Sequence, residues 1–215
     1  MHNSVGRAIA LGLATHGAKI VCCDLQGQAN QEGYERDLEK TTAEAIAASG
    51  GEAIFVQADI SNTQQVEEAF RLVIETFYRL DILINCAGYG ASFTLFADES
   101  EDLWLKMVAV NTLGTARMSR KAVRQFIEQD YDTNWGSRGR IINISSCAGV
   151  FGFPGQVAYS ATKASINHMT KVGALDHAKD YINFNCVAPG VVATGMARQN
   201  FEDSKIHDVL RRATL

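Results

Sequence analysis

The amino-acid sequence predicts an α/β fold, a three-layer, doubly wound parallel sheet with helices on both sides. Short apolar runs alternate along the chain with longer amphipathic runs, and this alternation is typical of repeated strand–helix units. Polar or glycine-rich residues follow the apolar runs, as at Asn85-Cys86-Ala87-Gly88. Open parallel sheets bind ligands beyond the carboxyl ends of their strands, so we expect the functional site at these positions.

The first half of the chain predicts three helices and two strands. A helix is predicted from about Val5 to His16, and a strand follows from Ala18 to Asp24. A second helix is predicted from about Glu32 to Ser49, because Gly50-Gly51 supplies a helix stop. The strand 53–58 precedes a third helix, in which apolar residues recur at spacings of three and four: Val66, Phe70, Val73, Ile74 and Phe77.

The second half continues the same alternation. The run Asp81–Asn85 is short and evenly apolar, which indicates a buried strand rather than a surface helix. A helix is predicted over 100–129, a surface loop over 130–139 and a strand over 140–145. A helix over 157–179 and a strand over 181–187 follow.

Composition narrows the class of protein. The 215 residues, 47% of them apolar, are enough for one α/β domain, which we predict over residues 1–215. The net charge of -4 comes from scattered charges, so no nucleic-acid or membrane partner is expected. No stretch reaches the roughly 20 apolar residues of a membrane span. Five cysteines without Cys-x-x-Cys spacing indicate a reducing compartment. We therefore expect a soluble cytoplasmic protein without a metal site.

The strongest chemical signal is the pair Tyr159 and Lys163. They are four residues apart in a predicted helix, so both side chains lie on one face. A free phenol titrates near pH 10, and a nearby cation lowers its pKa, so Tyr159 is predicted to exchange a proton with a hydroxyl or carbonyl oxygen. A half-buried tyrosine beside a solvated lysine is the alternative interpretation.

A serine at the end of a predicted strand adds a second hydrogen-bond donor. Ser146 precedes Tyr159 by thirteen residues, and its hydroxyl is predicted to donate to the same substrate oxygen. The alternative is a serine that stabilises a turn.

Five motifs in order resemble the short-chain dehydrogenases/reductases, and the resemblance covers about Ser4 to Leu215. They are Asn-Cys-Ala-Gly at 85–88, Val-Asn-Thr around Asn111, Ile-Ser-Ser-x-x-Gly at 144–149, Tyr-Ser-Ala-Thr-Lys at 159–163 and Pro-Gly-Val-Val-Ala-Thr at 189–194. The resemblance implies a Rossmann-type domain and a hydride transfer between a nicotinamide cofactor and a secondary alcohol or ketone.

The resemblance also implies the catalytic roles. Tyr159 is expected to be the general acid/base, and Lys163 to hold the nicotinamide ribose and depress the phenol pKa. Ser146 is expected to orient the carbonyl oxygen. Asn111 is expected to fix a water molecule in a proton relay.

The expected cofactor is NAD rather than NADP. Asp24 ends a predicted strand, where a carboxylate accepts hydrogen bonds from a ribose and repels a 2′-phosphate. A solvated strand-end aspartate is the alternative. The resemblance assigns further cofactor contacts to Gly6, Asp59, Ile60, Asn85, Ala87, Gly88, Tyr159, Lys163, Pro189, Gly190, Val192 and Thr194.

Two parts of the family pattern are not found. Only Ser4-Val5-Gly6 remains of the family's Thr-Gly-x-x-x-Gly-x-Gly loop, with Ser4 in place of the middle glycine, and no first strand precedes it. The family's last helix and edge strand do not follow Leu215. We therefore expect an incomplete domain, truncated at both ends, whose sheet lacks its central strand. The alternative function is a non-catalytic relative that acts as an oligomerisation or interaction partner.

The substrate is expected in the loops 89–99 and 149–157 and after Thr194. Their apolar side chains mildly favour an apolar or aromatic alcohol or ketone: Tyr89, Phe93, Leu95, Phe96, Phe151, Phe153, Met196 and Phe201. The resemblance implies a homodimer or homotetramer through the helices that begin near Ser100 and Val157. Contacts are expected from Ala164, Met169, Val172 and Leu175, and the alternative is that these residues face the sheet.

Overall fold

The computed structural model describes residues 4–31, 33, 34, 38–195 and 198. These residues form two compact units. One contains the described residues up to Asp59 and from Val191 onward, and the other contains Ile60–Gly190. Within the described chain, no helix combines the length and the apolar character that a bilayer crossing requires.

The first unit contains a two-stranded parallel sheet. Its elements are α1 (Ser4–Thr15), β1 (Ile20–Asp24), α2 (Thr42–Ala48) and β2 (Ala53–Gln57). In the register of the two strands Ile20 lies beside Ala53. Residues of α1, α2 and β1 make its small core, formed by Ala10, Ile20, Cys22 and Ile46.

The prediction of a helix from about residue 32 is wrong for the described part of that range, because α2 begins at Thr42. A reciprocal cap sets this start: the Thr41 hydroxyl accepts the Glu44 N–H at 3.1 Å, and the Glu44 carboxylate accepts the Thr41 N–H at 2.8 Å. Such a capping box satisfies two backbone donors that a helix terminus otherwise leaves unpaired. The Thr-x-x-Glu spacing was visible in the sequence.

The second unit is built on a three-stranded parallel sheet in the order β3-β4-β5. Ile84 of β3 lies beside Ile142 of β4, which lies beside Asn185 of β5. The elements are α3 (Thr63–Phe77), β3 (Ile82–Asn85), α4 (Glu101–Met107), α5 (Thr115–Glu128), β4 (Gly139–Ile144), α6 (Val157–Asp176) and β5 (Ile182–Val187), with 3-10 turns at Phe96–Asp98, Cys147–Gly149 and Ala178–Asp180.

One face of this sheet packs against α3 and α5. Phe126 of α5 and Ile141 of β4 are fully buried there. Phe126 lies so close to Gly139 that a Cβ at Gly139 would come within 2.3 Å of its ring, so the first residue of β4 has to be glycine for this packing. The other core residues are Ile60, Val66, Phe70, Leu83, Met118, Ala122, Val123 and Ile182.

The predicted helix 100–129 is confirmed in extent but not in type. It starts after the cap residue Ser100, whose hydroxyl accepts the Leu103 N–H at 3.2 Å. Between α4 and α5 the segment Val108–Gly114 is π-helical. A π turn carries one residue more than an α turn and often marks a functional site, and Asn111 lies at its centre, fully buried.

The remaining predicted strands and helices agree with the structure to within a few residues at their ends. Among the described residues, β1 pairs with β2 alone and β3 with β4 alone, so the strands form two separate parallel sheets. The expectation of a sheet that lacks its central strand stays a prediction.

Candidate active site

Tyr159 and Ser146 meet where the end of β4 faces the first turn of α6. The Ser146 side chain lies close enough to the Tyr159 phenol to lower the pKa of the phenol. The Ser146 hydroxyl also accepts the Ala148 N–H at 3.2 Å, which caps the 3-10 turn Cys147–Gly149. The alternative interpretation, that Ser146 stabilises a turn, is thus confirmed for one contact of this hydroxyl. Two hydroxyl groups thus lie close together at the end of β4.

The pKa of Tyr159 departs from the sequence prediction. Burial raises the pKa of the phenol, and the Ser146 side chain lowers it by less than burial raises it. The prediction that Lys163 depresses this pKa below that of a free tyrosine is wrong for the structure, because desolvation of the phenolate is the larger effect. The Lys163 ammonium lies 5.7 Å from the centre of the Tyr159 ring.

Lys163 is a buried cation. Its side chain is 5% exposed, and its ammonium donates to the backbone carbonyl of Ile144 at 2.9 Å. Burial lowers the pKa of Lys163 from its usual 10.5 to about 8. Among the described residues, Ile144 supplies the one protein oxygen bound to this ammonium, so two of its three N–H donors remain for a ligand.

The end of β4 is locked onto α6 by backbone contacts. The Ser145 hydroxyl donates to the carbonyl of Lys163 at 2.9 Å. Gly149 lies directly against the backbone of Lys163 and Ala164, where a Cβ would come within 2.7 Å of the Lys163 carbonyl carbon. The glycine and the two serines of the Ser-Ser-x-x-Gly motif thus fix the distance between Ser146 and Tyr159.

Asn111 binds the peptide of Tyr89 through both ends of its carboxamide. Its oxygen accepts the Tyr89 N–H at 2.7 Å, and its nitrogen donates to the Tyr89 carbonyl at 3.0 Å and to the Thr162 hydroxyl at 3.1 Å. The side chain therefore holds the loop after β3 against α6. The expected relay water stays a prediction.

Thr162 is a site residue that the sequence interpretation missed. Its hydroxyl donates to the Tyr159 carbonyl at 2.8 Å and accepts from Asn111, and it is 2% exposed. It thereby links the tyrosine turn to the π-helical segment. Its position inside the Tyr-Ser-Ala-Thr-Lys motif was the available signal.

The backbone at Gly88 leaves room beside Lys163 and Asn111. A Cβ at Gly88 would lie 3.4 Å from the Asn111 amide oxygen and 3.5 Å from the Lys163 ammonium, so a side chain there would fill the space in front of both polar groups. A buried ammonium with unused donors beside a glycine backbone fits the ribose of a nicotinamide nucleotide, whose hydroxyl groups accept such hydrogen bonds.

The other predicted cofactor contacts of this unit lie at the strand ends or in the core. Asn85 is buried, and its amide donates to Asn143 at 2.8 Å and to Ser119 at 3.0 Å. Ile60 packs into the core, against Gly114. Ala87 is half-buried, Gly190 is exposed, and the Pro189 carbonyl accepts the Cys147 N–H at 2.8 Å. Their cofactor roles stay predictions.

The remaining predicted cofactor residues belong to the other unit. Asp24 ends β1 half-buried, and its carboxylate accepts the Leu25 N–H at 2.7 Å. Gly6 is buried within α1, and Asp59 follows β2 half-buried. Thr194 is buried and Val192 is exposed. Their contacts with a cofactor stay predictions as well.

The predicted substrate loops carry exposed apolar side chains. Leu95, Phe96 and Phe151 are each about two-thirds exposed. The Tyr89 ring lies 4.1 Å from the Lys106 ammonium, in a cation–π contact. Met196 and Phe201, which were predicted to line the same site, lie outside the described residues.

The family is decided by a direct comparison with known proteins. The model of the short chain dehydrogenase family matches residues 2–205 of the sequence. The chain belongs to the short-chain dehydrogenase family. The members of this family are oxidoreductases, and the grouping of Ser146, Tyr159 and Lys163 lies within the matched range.

Several members are similar over most of this chain. It is 35% identical over 192 residues to a 3-oxoacyl-[acyl-carrier-protein] reductase of Synechocystis sp., covering 89% of this chain and 71% of the relative. It is 33% identical to a (3R)-3-hydroxyacyl-CoA dehydrogenase of Rattus norvegicus, covering 94% and 75%. The crystal structure of an NAD+-bound xylitol dehydrogenase matches with a TM-score of 0.75 and 30% identity, over 86% of this chain and 65% of that one. This chain thus spans about two-thirds to three-quarters of the length of these relatives.

Proposed function

We propose that this short-chain dehydrogenase transfers a hydride between NAD(H) and a secondary alcohol or ketone, with Tyr159 as the general acid/base. The observation that carries the proposal is the buried ammonium of Lys163, which lies 5.7 Å from the centre of the Tyr159 ring, with the Ser146 side chain close enough to the phenol to lower its pKa. The relatives named as reductases and dehydrogenases add support to an oxidoreductase reaction.

Lys163 and the backbone at Gly88 would hold the ribose next to the nicotinamide. The bound cofactor supplies or accepts the hydride. Lys163 has two N–H donors beyond its bond to Ile144, which suits a ribose diol. Asn111 keeps the Gly88–Tyr89 backbone in place through its paired hydrogen bonds to Tyr89.

Tyr159 holds the transferable proton at its phenol oxygen. Because burial raises the pKa of this phenol, the neutral form prevails at pH 7, and Tyr159 is ready to donate a proton to a carbonyl oxygen that becomes an alkoxide. Ser146 positions the same oxygen by a second hydrogen bond. For alcohol oxidation the phenol first has to lose its proton, so that direction is favoured at higher pH.

NAD is the proposed cofactor rather than NADP, and the proposal rests on the charge of Asp24. A carboxylate at the end of β1 accepts hydrogen bonds from ribose hydroxyls and repels a 2′-phosphate. Leu25 and Gln26 follow it and bring no cation that would attract a phosphate. The similar structure of xylitol dehydrogenase contains NAD+, which also supports NAD as the cofactor.

A homodimer or homotetramer through the helices that begin near Ser100 and Val157 is the proposed assembly, and α6 carries the exposed apolar side chains that support it. Val172 and Leu175 are 41% and 80% exposed on this helix, and Ala164 is exposed on the same helix. Apolar side chains on an exposed helix face are typical of a subunit contact. Met169 is half-buried. The cytoplasmic location stays a prediction.

Cofactor titration tests the proposal directly. The 215-residue chain is titrated with NADH, and binding is followed by nicotinamide fluorescence and by the shift in melting temperature. Binding of NADH in the micromolar to millimolar range, followed by NADH oxidation with a ketone panel, is the expected result. No binding at millimolar NADH would instead favour the non-catalytic alternative for this chain.

A further inference from the structure

The long helix that carries Tyr159 has no capping side chain of its own. Gln156, the residue before α6, makes no side-chain bond to the first turn, and the first helical bond runs from the Ser160 N–H to the Gln156 carbonyl at 2.9 Å. The preceding N–H groups have no partner within the helix. The first turn, which includes Tyr159, thus depends on groups from elsewhere in the chain.

Glu99 supplies that group from 59 residues away. Both of its carboxylate oxygens lie 3.2 Å from the N–H of Ala158, the residue directly before Tyr159. A carboxylate at this end of a helix is stabilised by the helix dipole and accepts charge-assisted hydrogen bonds. The carboxylate of Glu99 therefore fixes the peptide from which the catalytic tyrosine extends.

The segment that carries Glu99 contacts the start of α6 at a second point. The Thr94 N–H donates to the Gly155 carbonyl at 3.0 Å. A Cβ at Gly155 would meet the Phe93 side chain at 3.3 Å, and Gly155 has a φ of 72°, which glycine adopts without strain. Residues 93–99, which belong to the predicted substrate loop 89–99, are thus attached to residues 155–158 at both ends.

We propose that Glu99 is a positioning residue, which couples residues 93–99 of the predicted substrate loop 89–99 to the first turn of α6 and so keeps Tyr159 beside Ser146. The proposal deepens the proposed function, since its effect on turnover requires that the chain is an oxidoreductase. Its effect on the geometry of Tyr159 does not require this. A purely structural cap would lower stability without moving the phenol.

Three variants separate positioning from capping. Glu99→Ala removes the carboxylate, whereas Glu99→Gln keeps an oxygen that accepts the Ala158 N–H. Glu44→Ala is the matched control, because Glu44 is also a carboxylate that accepts a backbone N–H at a helix start, on a helix without site residues. All three are purified as the full chain, and their melting temperatures are measured.

The first readout is the titration of Tyr159, followed by NMR of the chain labelled at the tyrosine ζ carbon, with Tyr159→Phe to assign the signal. Glu99→Ala is expected to bring the pKa of Tyr159 down toward the free value of about 10, because the phenol loses its buried position. Glu99→Gln and Glu44→Ala are expected to keep the wild-type pKa. Exchange of the Ala158 amide hydrogen is expected to be about fivefold faster in Glu99→Ala alone.

The second readout is kinetic. In a chain that turns over a ketone, Glu99→Ala is expected to lower kcat while the Kd for NADH stays unchanged. An unchanged Tyr159 titration and unchanged amide exchange in Glu99→Ala would overturn the proposal, as would equal losses in Glu99→Gln. If the wild type fails to turn over, the proposed function fails, but the titration and the exchange still decide the role of Glu99.

Discussion

The Lys163 ammonium donates a hydrogen bond to the Ile144 backbone carbonyl across 2.9 Å, from a side chain that is 5% exposed. A buried cation with a single neutral acceptor is costly, because burial removes hydration that one carbonyl does not replace. The buried positive charge of Lys163 thus lowers the free energy of unfolding of the protein. Such a cost is typical of groups that act on a ligand.

This cost predicts a pH dependence of stability. The pKa of Lys163 falls from 10.5 to about 8 on folding, so between these values the folded state binds fewer protons than the unfolded state. The free energy of unfolding therefore rises with pH through this window, by up to about 3 kcal/mol from this group. Urea denaturation of the wild type and Lys163→Met between pH 7 and pH 10.5 measures it: the stability difference should move in favour of the wild type. A difference that is constant with pH would contradict the low pKa.

Removal of the phenol hydroxyl should abolish proton transfer and leave the fold intact. For Tyr159→Phe we expect a loss of about 10²–10⁴-fold in kcat with little change in the Kd for NADH. Ser160→Ala is the matched control, because the Ser160 hydroxyl is buried without a hydrogen-bond partner. Its removal should leave kcat unchanged and the melting temperature equal or slightly higher. A Tyr159→Phe variant with wild-type rates would refute the assignment.

Gly149→Ala should damage the site through the backbone. The added methyl group would come within 2.9 Å of three backbone atoms of Lys163 and Ala164, so α6 has to shift away from the end of β4. We expect a loss of about 1–3 kcal/mol in stability and a large loss of activity. Gly152→Ala is the control, since no atom lies within 4 Å of its added Cβ. Equal stability of the two variants would argue against the tight docking.

Gly88→Ala should leave the stability of the chain nearly unchanged and weaken cofactor binding. Its added Cβ makes ordinary contacts of 3.4 and 3.5 Å, so the melting temperature of the free chain should stay near the wild-type value. The methyl group would, however, occupy the space in front of Lys163, and we expect NADH to bind at least about tenfold more weakly, a change of about 1.4 kcal/mol. Fluorescence titration checks this, and wild-type affinity would place the cofactor elsewhere.

Substitution of Asp24 should change cofactor choice. Asp24→Ala removes both the acceptor for the ribose hydroxyls and the repulsion of a 2′-phosphate. The ratio of the Kd for NADPH to the Kd for NADH should fall by about tenfold or more. Asp81→Ala, at a carboxylate that binds Arg79, is a control for the loss of one negative charge. A wild-type preference for NADPH would overturn the interpretation of Asp24.

Much of the second unit could be predicted because its motifs are local. The Ser-Ser-x-x-Gly and Tyr-x-x-x-Lys spacings reflect backbone contacts around Gly149 and Ser145, so the residues that meet are also the residues that the motifs contain. The sign of the Tyr159 pKa shift was not predictable, because it depends on burial by residues far apart in the sequence. Glu99 was missed for the same reason: its partner, Ala158, is 59 residues away.

Two errors in the helices have different origins. The start of α2 was misplaced because the stop at Gly50-Gly51 was used without the capping signal of Thr41 and Glu44, which the sequence contains. The sequence did not indicate the π-helical segment, because the apolar spacing in Val108–Gly114 is compatible with either helix type over so short a run. Only the contacts of Asn111 with Tyr89 and Thr162 explain why the wider turn is kept.

The π-helical segment also limits which changes in length this helix tolerates. A π turn carries one residue more than an α turn, so the loss of one residue from Val108–Gly114 would restore regular α-helix there and leave later side chains near their present faces. Phe126 would keep its place against Gly139, whereas Asn111 would lose the wide turn that holds it against Tyr89. We expect such a deletion to give a folded chain with a damaged site, whereas a deletion elsewhere in α4 or α5 would turn every later side chain by about 100° and unfold the chain. The helix thus tolerates the loss of a residue at the π turn better than on either side of it.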